Sequence, residues 1–263
     1  MQKKRILIVG LDPADSDIIK NKLLDFLVVA YDALPRIRLS EGVLLVESPW
    51  HPDKYLPVDK VIFHGIFEND YDFITLLAMW NGQCLPNPLG MMDCRLRHAG
   101  LVRALRVTKF GNVPRGMCIT AEKWVSDKEI VAKWGNWHCG ENKHKFIGEW
   151  NSEESTTFEP FFKGEAVRIM LMGDKAWQIH LTGDDWLKSI HHHQAGDMPI
   201  DAELLADTKK LAAHFGLEML GVDYMVNENG EKLFLEVNHI PNVTVFPFVN
   251  DAFVDFAVEW VQK

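Results

Sequence analysis

Residues 221–242, GVDYMVNENGEKLFLEVNHIPN, constrain this chain more than any other stretch. Two strand-forming runs, 222–226 and 232–237, flank an Asn229-Gly230 pair, the strongest short-range signal for a β-hairpin. A two-residue Asn229-Gly230 turn pairs Val226 with Leu233, Tyr224 with Leu235 and Val222 with Val237. That face is wholly apolar and has to pack on a core. The other face pairs Met225 with Phe234 and Asp223 with Glu236, and Asn238 falls on the same side two residues beyond.

Carboxylates directly opposite each other repel and weaken a sheet. A chain that keeps both must neutralise them or admit water, and a divalent cation turns the repulsion into binding. Mg²⁺ favours oxygen ligands, usually one or two carboxylates plus substrate phosphates. Asp223, Glu236 and the amide oxygen of Asn238 supply that set. The bland alternative is an exposed face carrying scattered acids.

An Asp on one strand, Glu-x-Asn on the next and then Pro-Asn resembles the magnesium site of the ATP-grasp superfamily. Glu236-Val237-Asn238 and Pro241-Asn242 stand as that pattern requires. The resemblance implies an α/β fold of α+β lobes, with a Rossmann-like pre-ATP-grasp domain before the ATP-grasp domain. It implies ATP and Mg²⁺ as cofactors, with Mn²⁺ as a substitute metal.

Composition is compatible with this. At 263 residues the chain can hold one large domain or several lobes. Its hydrophobic content of 47% and charged content of 25% are ordinary for a soluble globular protein. A formal net charge of −9 argues against wrapping nucleic acid or resting on an anionic membrane. A local basic pocket can still take an anionic ligand. Cys84, Cys94, Cys118 and Cys139 form no CxxC pair, so reduced thiols and a cytoplasmic setting are expected. The apolar run near the N-terminus is too short for a signal peptide, and none approaches the ~20 residues of a membrane span.

Along the chain, residues 5–10 read as a buried parallel strand and 15–28 as a helix. Residues 43–46 and 60–64 read as further strands, and 70–80 as a helix stopped by Gly82. Alternating strands and helices predict a parallel sheet, and a Rossmann-like domain over residues 1–86. It lacks GxGxxG, which removes support for a nicotinamide cofactor. Leu85-Pro86-Asn87-Pro88 is the expected boundary. The ATP-grasp domain then covers 87–263, with a small nucleotide lobe over about 106–162 and a large lobe over about 163–263.

A single helix is predicted over 91–105, carrying Asp93, Arg95, Arg97 and Arg103. RimK-like and glutathione-synthetase-like members carry an Asn and then an Asp-Lys pair here, and the lysine reaches the nucleotide phosphates. Asn87 and Asp93 match, but Cys94 stands in the lysine's place. The resemblance leaves Arg95 or Arg97 to take over, and a solvated arginine face is the alternative. Residues 111–116 resemble the segment leading into the family's small lobe. A strand over 129–133 ends in Lys133 and is followed by a Gly-containing loop over 134–143. A mobile point charge beside backbone N–H groups freed by glycine suits phosphate. The resemblance gives Lys133 the α/β-phosphate and adenine contact, with Lys143 and His138 as secondary contacts; an ordinary hairpin is the alternative.

Residues 158–162, FEPFF, resemble the hinge between the family's lobes. The resemblance sets Glu159 and nearby backbone on the adenine edge, Phe161 and Phe162 as walls, and Glu165 on the ribose hydroxyls. A second hairpin is predicted around Gly173-Asp174. Arg168 lies among apolar residues there and needs an anionic partner. The resemblance makes that partner the γ-phosphate or an acyl-phosphate. Residues 184–193, DDWLKSIHHH, depart most from the family. Trp186 matches an aromatic position, and Leu187-Lys188-Ser189 replaces Arg-Ser-Asn, so Lys188 offers the catalytic charge one position late. His191, His192 and His193 point in different directions and suit an acceptor-binding or solvated loop better than zinc. A helix over 202–215, capped by Asp201 and stopped by Gly216, and a closing helix over 252–261 complete the chain.

The expected activity is ATP- and Mg²⁺-dependent joining of a carboxylate to an amine, without a nucleophilic residue of the protein. The expected partners are small carboxylate and amine substrates or a peptide, and homo-oligomers are common in the family. The departures at Cys94 and 187–189 leave open an ATP-binding protein without ligation. A small-molecule kinase would use the same pocket.

Overall fold

The computed structural model describes residues 3–135, 142–183, 186, 194–243 and 246–263. β1 (Arg5–Val9) is the expected buried strand, with Ile6 to Val9 fully inside. α1 (Pro13–Lys22) starts on Asp12, whose carboxylate accepts from Asp15 N. It stops at Leu23, short of the predicted residue 28. The run Leu-Val-Val-Ala-Tyr that follows is β2 (Leu27–Tyr31), parallel to β1. β-Branched residues favour the sheet, where Val28 and Val29 are buried, while Leu24 is 74% exposed in the turn between.

β3 (Ile37–Ser40), β4 (Val43–Ser48) and β5 (His51–Pro57) form a separate antiparallel sheet, so residues 43–46 stand outside the parallel one. β6 (Lys60–Phe63), α2 (Asp70–Trp80) and β7 (Gln83–Leu85) complete the parallel sheet, in the order β2-β1-β6-β7. Asn81, left-handed at φ 55°, ends α2 one residue before Gly82. The helix predicted over 91–105 is two helices, α3 (Pro88–Arg95) and α4 (Arg97–Ala104). They break at Leu96, which is extended at φ −95° and ψ 123°.

β8 (Gly116–Cys118), β9 (Glu122–Trp134), β10 (Lys143–Ser152) and β11 (Thr156–Pro160) form an antiparallel sheet in the order β10-β9-β11-β8. A five-stranded sheet follows, built from β12 (Glu165–Met172), β13 (Lys175–Thr182), β14 (Gln194–Met198), β15 (Met219–Val226) and β16 (Lys232–Asn238). Its order is β14-β13-β12-β15-β16. The β12–β13 turn is Gly173-Asp174, with Gly173 at φ +55° as the predicted hairpin needs. α5 (Ala202–Phe215) has its predicted bounds, with Asp201 accepting from Glu203 N and Leu204 N and Gly216 left-handed. α6 (Pro247–Gln262) starts earlier than predicted, at a proline in its first turn.

Alternate residues of β12 enter two apolar clusters. Val167, Ile169 and Leu171 meet α5, α3 and one face of the parallel sheet. Ala166, Met170 and Met172 meet α6, α1 and the other face. Each fully buried aliphatic side chain contributes roughly 1.5–3 kcal/mol. These cores pack both faces of β12 and β15, whose central residues Arg168 and Asp223 are cross-strand neighbours.

Candidate active site

The hairpin turns differently from its sequence expectation. Asn227 N donates to Glu231 O and Gly230 N donates to Asn227 O, with Gly230 left-handed at φ +77°. This is a three-residue turn closed by a left-handed glycine. Tyr224 therefore pairs with Phe234 and Met225 with Leu233, one step off the predicted register. A bulge between Asp223 and Tyr224 restores it, and Asp223 faces Glu236, Val222 faces Val237 and Gly221 faces Asn238. The extra residue is Leu235. It turns Phe234 into the core beside Tyr224 and sends Leu235 to the opposite side, with Met225 and Leu233. The predicted Met225–Phe234 pair is thereby overturned.

The two acids do face each other, but each has a cation of the protein beside it. Arg168 on β12 is the direct cross-strand neighbour of Asp223. Its Nε donates to Oδ1 at 2.6 Å and its Nη2 to Oδ2 at 2.9 Å. Asp223 is 2% exposed. Burial alone lowers the Arg168 pKa, and the charges of Asp223 and Glu236 outweigh it and hold it above the ordinary value. Asn238 Nδ2 donates to Asp223 Oδ2 at 3.3 Å, which leaves the amide oxygen as an acceptor. Glu236 lies 3.9 Å from Lys143 Nζ. The repulsion that seemed to demand an outside metal is thus already offset by Arg168 and Lys143. The arginine's expected anionic partner is, in this structure, Asp223.

Across the cleft the pattern repeats with the sign reversed. Lys133 at the end of β9 stands directly opposite Lys143 at the start of β10. Like charges so placed destabilise a ladder unless anions sit beside them. Lys133 contacts the carboxylate of Glu159, and Lys143 has Glu236. Burial lowers the Lys143 pKa; Glu236 and Asp223 raise it, while Lys133 and Arg97 lower it further, and the balance is downward. Glu159 is also bound by Arg115 Nε at 3.1 Å, and Arg115 donates a second bond to Gly111 O at 2.6 Å. Burial raises the Glu159 pKa, but Lys133 and Arg115 prevail and hold it below the carboxylate range. Arg115 was missed in the sequence, where a lone arginine between proline and glycine gives no sign of a partner in another strand.

Lys133, Lys143 and Glu159 line a cleft between the β10-β9-β11-β8 sheet and the five-stranded sheet. Its apolar walls include Val131, Phe161, Phe162, Trp186, Met225 and Leu235. Phe161 meets Trp186 edge to face at 6.3 Å, and Lys145 lies over the Phe161 ring at 4.2 Å. An apolar slot with charged groups at one end suits a flat heterocycle carrying an anionic tail.

Two expected contacts are elsewhere. Glu165 pairs with His180 at 3.2 Å and lines a separate cleft with Lys163, Val167 and Asn227, because alternation on β12 turns it away from Arg168. Arg95 is 2% exposed; its Nε donates to Asp70 Oδ1 at 2.5 Å and its Nη2 to Phe67 O at 3.1 Å, so it braces α2 rather than a ligand. The break at Leu96 turns the next arginine the other way. Arg97 Nη1 donates to Trp134 O at 2.5 Å, at the end of the strand that carries Lys133, and its charge acts on Lys143. Cys94 is fully buried. Gly135, at φ +68°, and Asn142, at φ +56°, mark the two ends of the glycine loop. His138, Lys188 and His191 to His193 lie outside the described residues.

The fit to Mg²⁺ rests on the donors. Asp223 and Glu236 offer carboxylate oxygens and Asn238 an amide oxygen, the hard set this ion prefers. Arg168 and Asn238 take three of the roughly four acceptor positions on Asp223, so one oxygen lone pair remains. Among the described residues no cluster of three or more His, Cys, Asp or Glu side chains could hold a metal alone, so the ion would need phosphate oxygens as well.

No family model matches the chain, and no curated protein matches it. Solved structures do. D-alanyl-alanine synthetase A from Vibrio cholerae superposes with a TM-score of 0.69 at 13% identity, over 100% of this chain and 98% of that one. A RiPP-associated ATP-grasp ligase from Chryseobacterium gregarium, in complex with ADP and a leader and core peptide, gives 0.63 at 11% identity, over 97% and 96%. The macrocyclase MdnC from Microcystis aeruginosa, bound with precursor peptide MdnA, gives 0.61 at 13% identity, over 95% and 98%.

Proposed function

We propose that this chain, which has the ATP-grasp fold, is an ATP- and Mg²⁺-dependent ligase that joins a carboxylate to an amine through an acyl-phosphate. One observation carries the reading. Two lysines face each other on β9 and β10, two acids face each other on β15 and β16, and Lys143–Glu236 spans the cleft between them.

Phosphoryl transfer asks a protein for positioning and charge, not for covalent help. The base enters the slot between Phe161, Trp186 and Leu235. The phosphates draw Lys133 and Lys143 away from their carboxylates. That exchange releases Glu236, which with Asp223 and Asn238 would hold Mg²⁺. The bound ion would neutralise phosphate charge. Arg168 keeps the Asp223 carboxylate in place through Nε and Nη2, and Nη1 is left for the transferred phosphoryl group. Arg97 adds positive charge at the strand end, in place of the lysine that Cys94 displaces. Lys188 supplies a further cation.

The carboxylate and amine are amino acids or a peptide, a class supported by the peptides bound to two of the similar structures and by the dipeptide synthetase among them. Buried free Cys84, Cys94 and Cys118 support a cytoplasmic setting. No helix among the described residues is long and apolar enough to cross a membrane.

Titration calorimetry with ATP, with and without Mg²⁺, tests the binding half. ADP release over a panel of amino acids, carboxylates and short peptides tests the ligation half. Absence of Mg²⁺-dependent nucleotide uptake overturns the proposal. Tight uptake with no acceptor-dependent turnover selects the second reading, a nucleotide-binding protein without ligation, which the buried Cys94 at the lysine position favours.

A further inference from the structure

His64 follows β6 at the C-terminal edge of the parallel sheet, with its backbone N donating to Val9 O at 2.8 Å. β1 and β6 are neighbours whose outgoing connections leave to opposite sides, the switch point of such a sheet. The backbone is fixed here by two glycines in contact. A Cβ added to Gly10 would lie 2.7 Å from Gly65 Cα.

The imidazole is 6% exposed and lies 4.8 Å from the Phe253 ring of α6. Its Nε2 is 3.1 Å from Pro241 O. A carbonyl can only accept, so Nε2 carries the hydrogen. Burial pulls the imidazole pKa down to about 4, so the ring is neutral near pH 7. Pro241 abuts Gly221 in turn: a Cβ there would meet Pro241 Cβ at 3.2 Å and Arg168 Cδ at 3.5 Å. Gly221 is the cross-strand partner of Asn238.

We propose that His64 is a positioning residue for the magnesium-binding end of β16, acting through the Pro241 carbonyl. It touches neither metal nor nucleotide. It pins the turn that closes on Gly221, and so sets where Asn238 and Glu236 present their oxygens. The inference rests on the reading of Asp223, Glu236 and Asn238 as the Mg²⁺ set.

Two variants test it by calorimetry, with a non-hydrolysable ATP analogue titrated at a series of Mg²⁺ concentrations. His64→Phe keeps the ring on Phe253 and loses the donor; His64→Gln keeps a donor. His64→Phe should raise the Mg²⁺ needed for half-maximal nucleotide uptake about tenfold. Uptake without Mg²⁺ should be unchanged, and His64→Gln should recover most of the loss. Wild-type Mg²⁺ dependence in His64→Phe, with only a lowered melting temperature, assigns the residue to packing and overturns the inference. So does equal weakening with and without the ion. A wild-type protein with no Mg²⁺-dependent uptake instead brings down the functional reading, and this inference with it.

Discussion

Lys143 Nζ stands 3.9 Å from Glu236 Oε2, joining the first residue of β10 to the acid of β16 across the mouth of an apolar cleft. Each belongs to a like-charged cross-strand pair, Lys133–Lys143 and Asp223–Glu236. Either pair alone weakens its sheet, and together they hold charges that a triphosphate and a divalent ion can exchange.

Glu236→Gln keeps the size of the side chain and removes the charge. Mg²⁺-dependent ATP affinity should fall by about 10- to 100-fold. The Glu236 side chain is only 17% exposed, but in the folded state it attracts Lys143 and repels Asp223, and these effects oppose each other, so the melting temperature should hardly move. Calorimetry beside a thermal melt separates the two effects. Unchanged Mg²⁺-dependent uptake sinks the assignment.

Arg168→Gln leaves Asp223 buried without its cation. Breaking one side of a buried ion pair costs about 3–5 kcal/mol. Urea unfolding should show that loss, and Asp223→Asn in the same background should recover part of it. A loss below about 1 kcal/mol would mean that the pair contributes little to the folded state.

Nucleotide affinity should fall on the alkaline side at a lower pH than an ordinary lysine allows. Lys143 binds phosphate as the cation, and its pKa is lowered by burial and by Lys133 and Arg97 despite the opposing acids. The sign for stability is opposite. Between the folded and unfolded pKa the unfolded chain holds more protons, so this group's cost to folding disappears as pH rises through that window. Lys143→Arg, charged at every accessible pH, should remove the alkaline fall in affinity. An unchanged profile in that variant counts against Lys143 as its source.

The bulge at Leu235 can be checked by a pair of truncations. Leu235→Ala should weaken ATP binding with a modest effect on folding, because the side chain lines the slot. Phe234→Ala should cost about 3–5 kcal/mol of stability, because that ring is fully buried. The register predicted from an Asn229-Gly230 turn reverses these outcomes, so urea unfolding and calorimetry on both variants decide between them.

What the sequence determined by itself is what near neighbours determine. The bounds of α5 follow from an Asp cap and a glycine stop around an amphipathic run. The ATP-grasp fold was legible in the order of motifs that resemble that family, whereas the face-to-face Asp223 and Glu236 needed the bulge at Leu235 as well as alternation. Only the tertiary structure decided the rest. Leu96 broke a helix whose periodicity ran on, and so gave Arg95 to Asp70 and Arg97 to the end of β9. Arg168 found Asp223, and Arg115 found Glu159, in strands 55 and 44 residues away. Periodicity, caps and turns act over a few residues and are written locally; the partner of a buried charge is chosen by which strands the packed core brings together, and no local pattern encodes that.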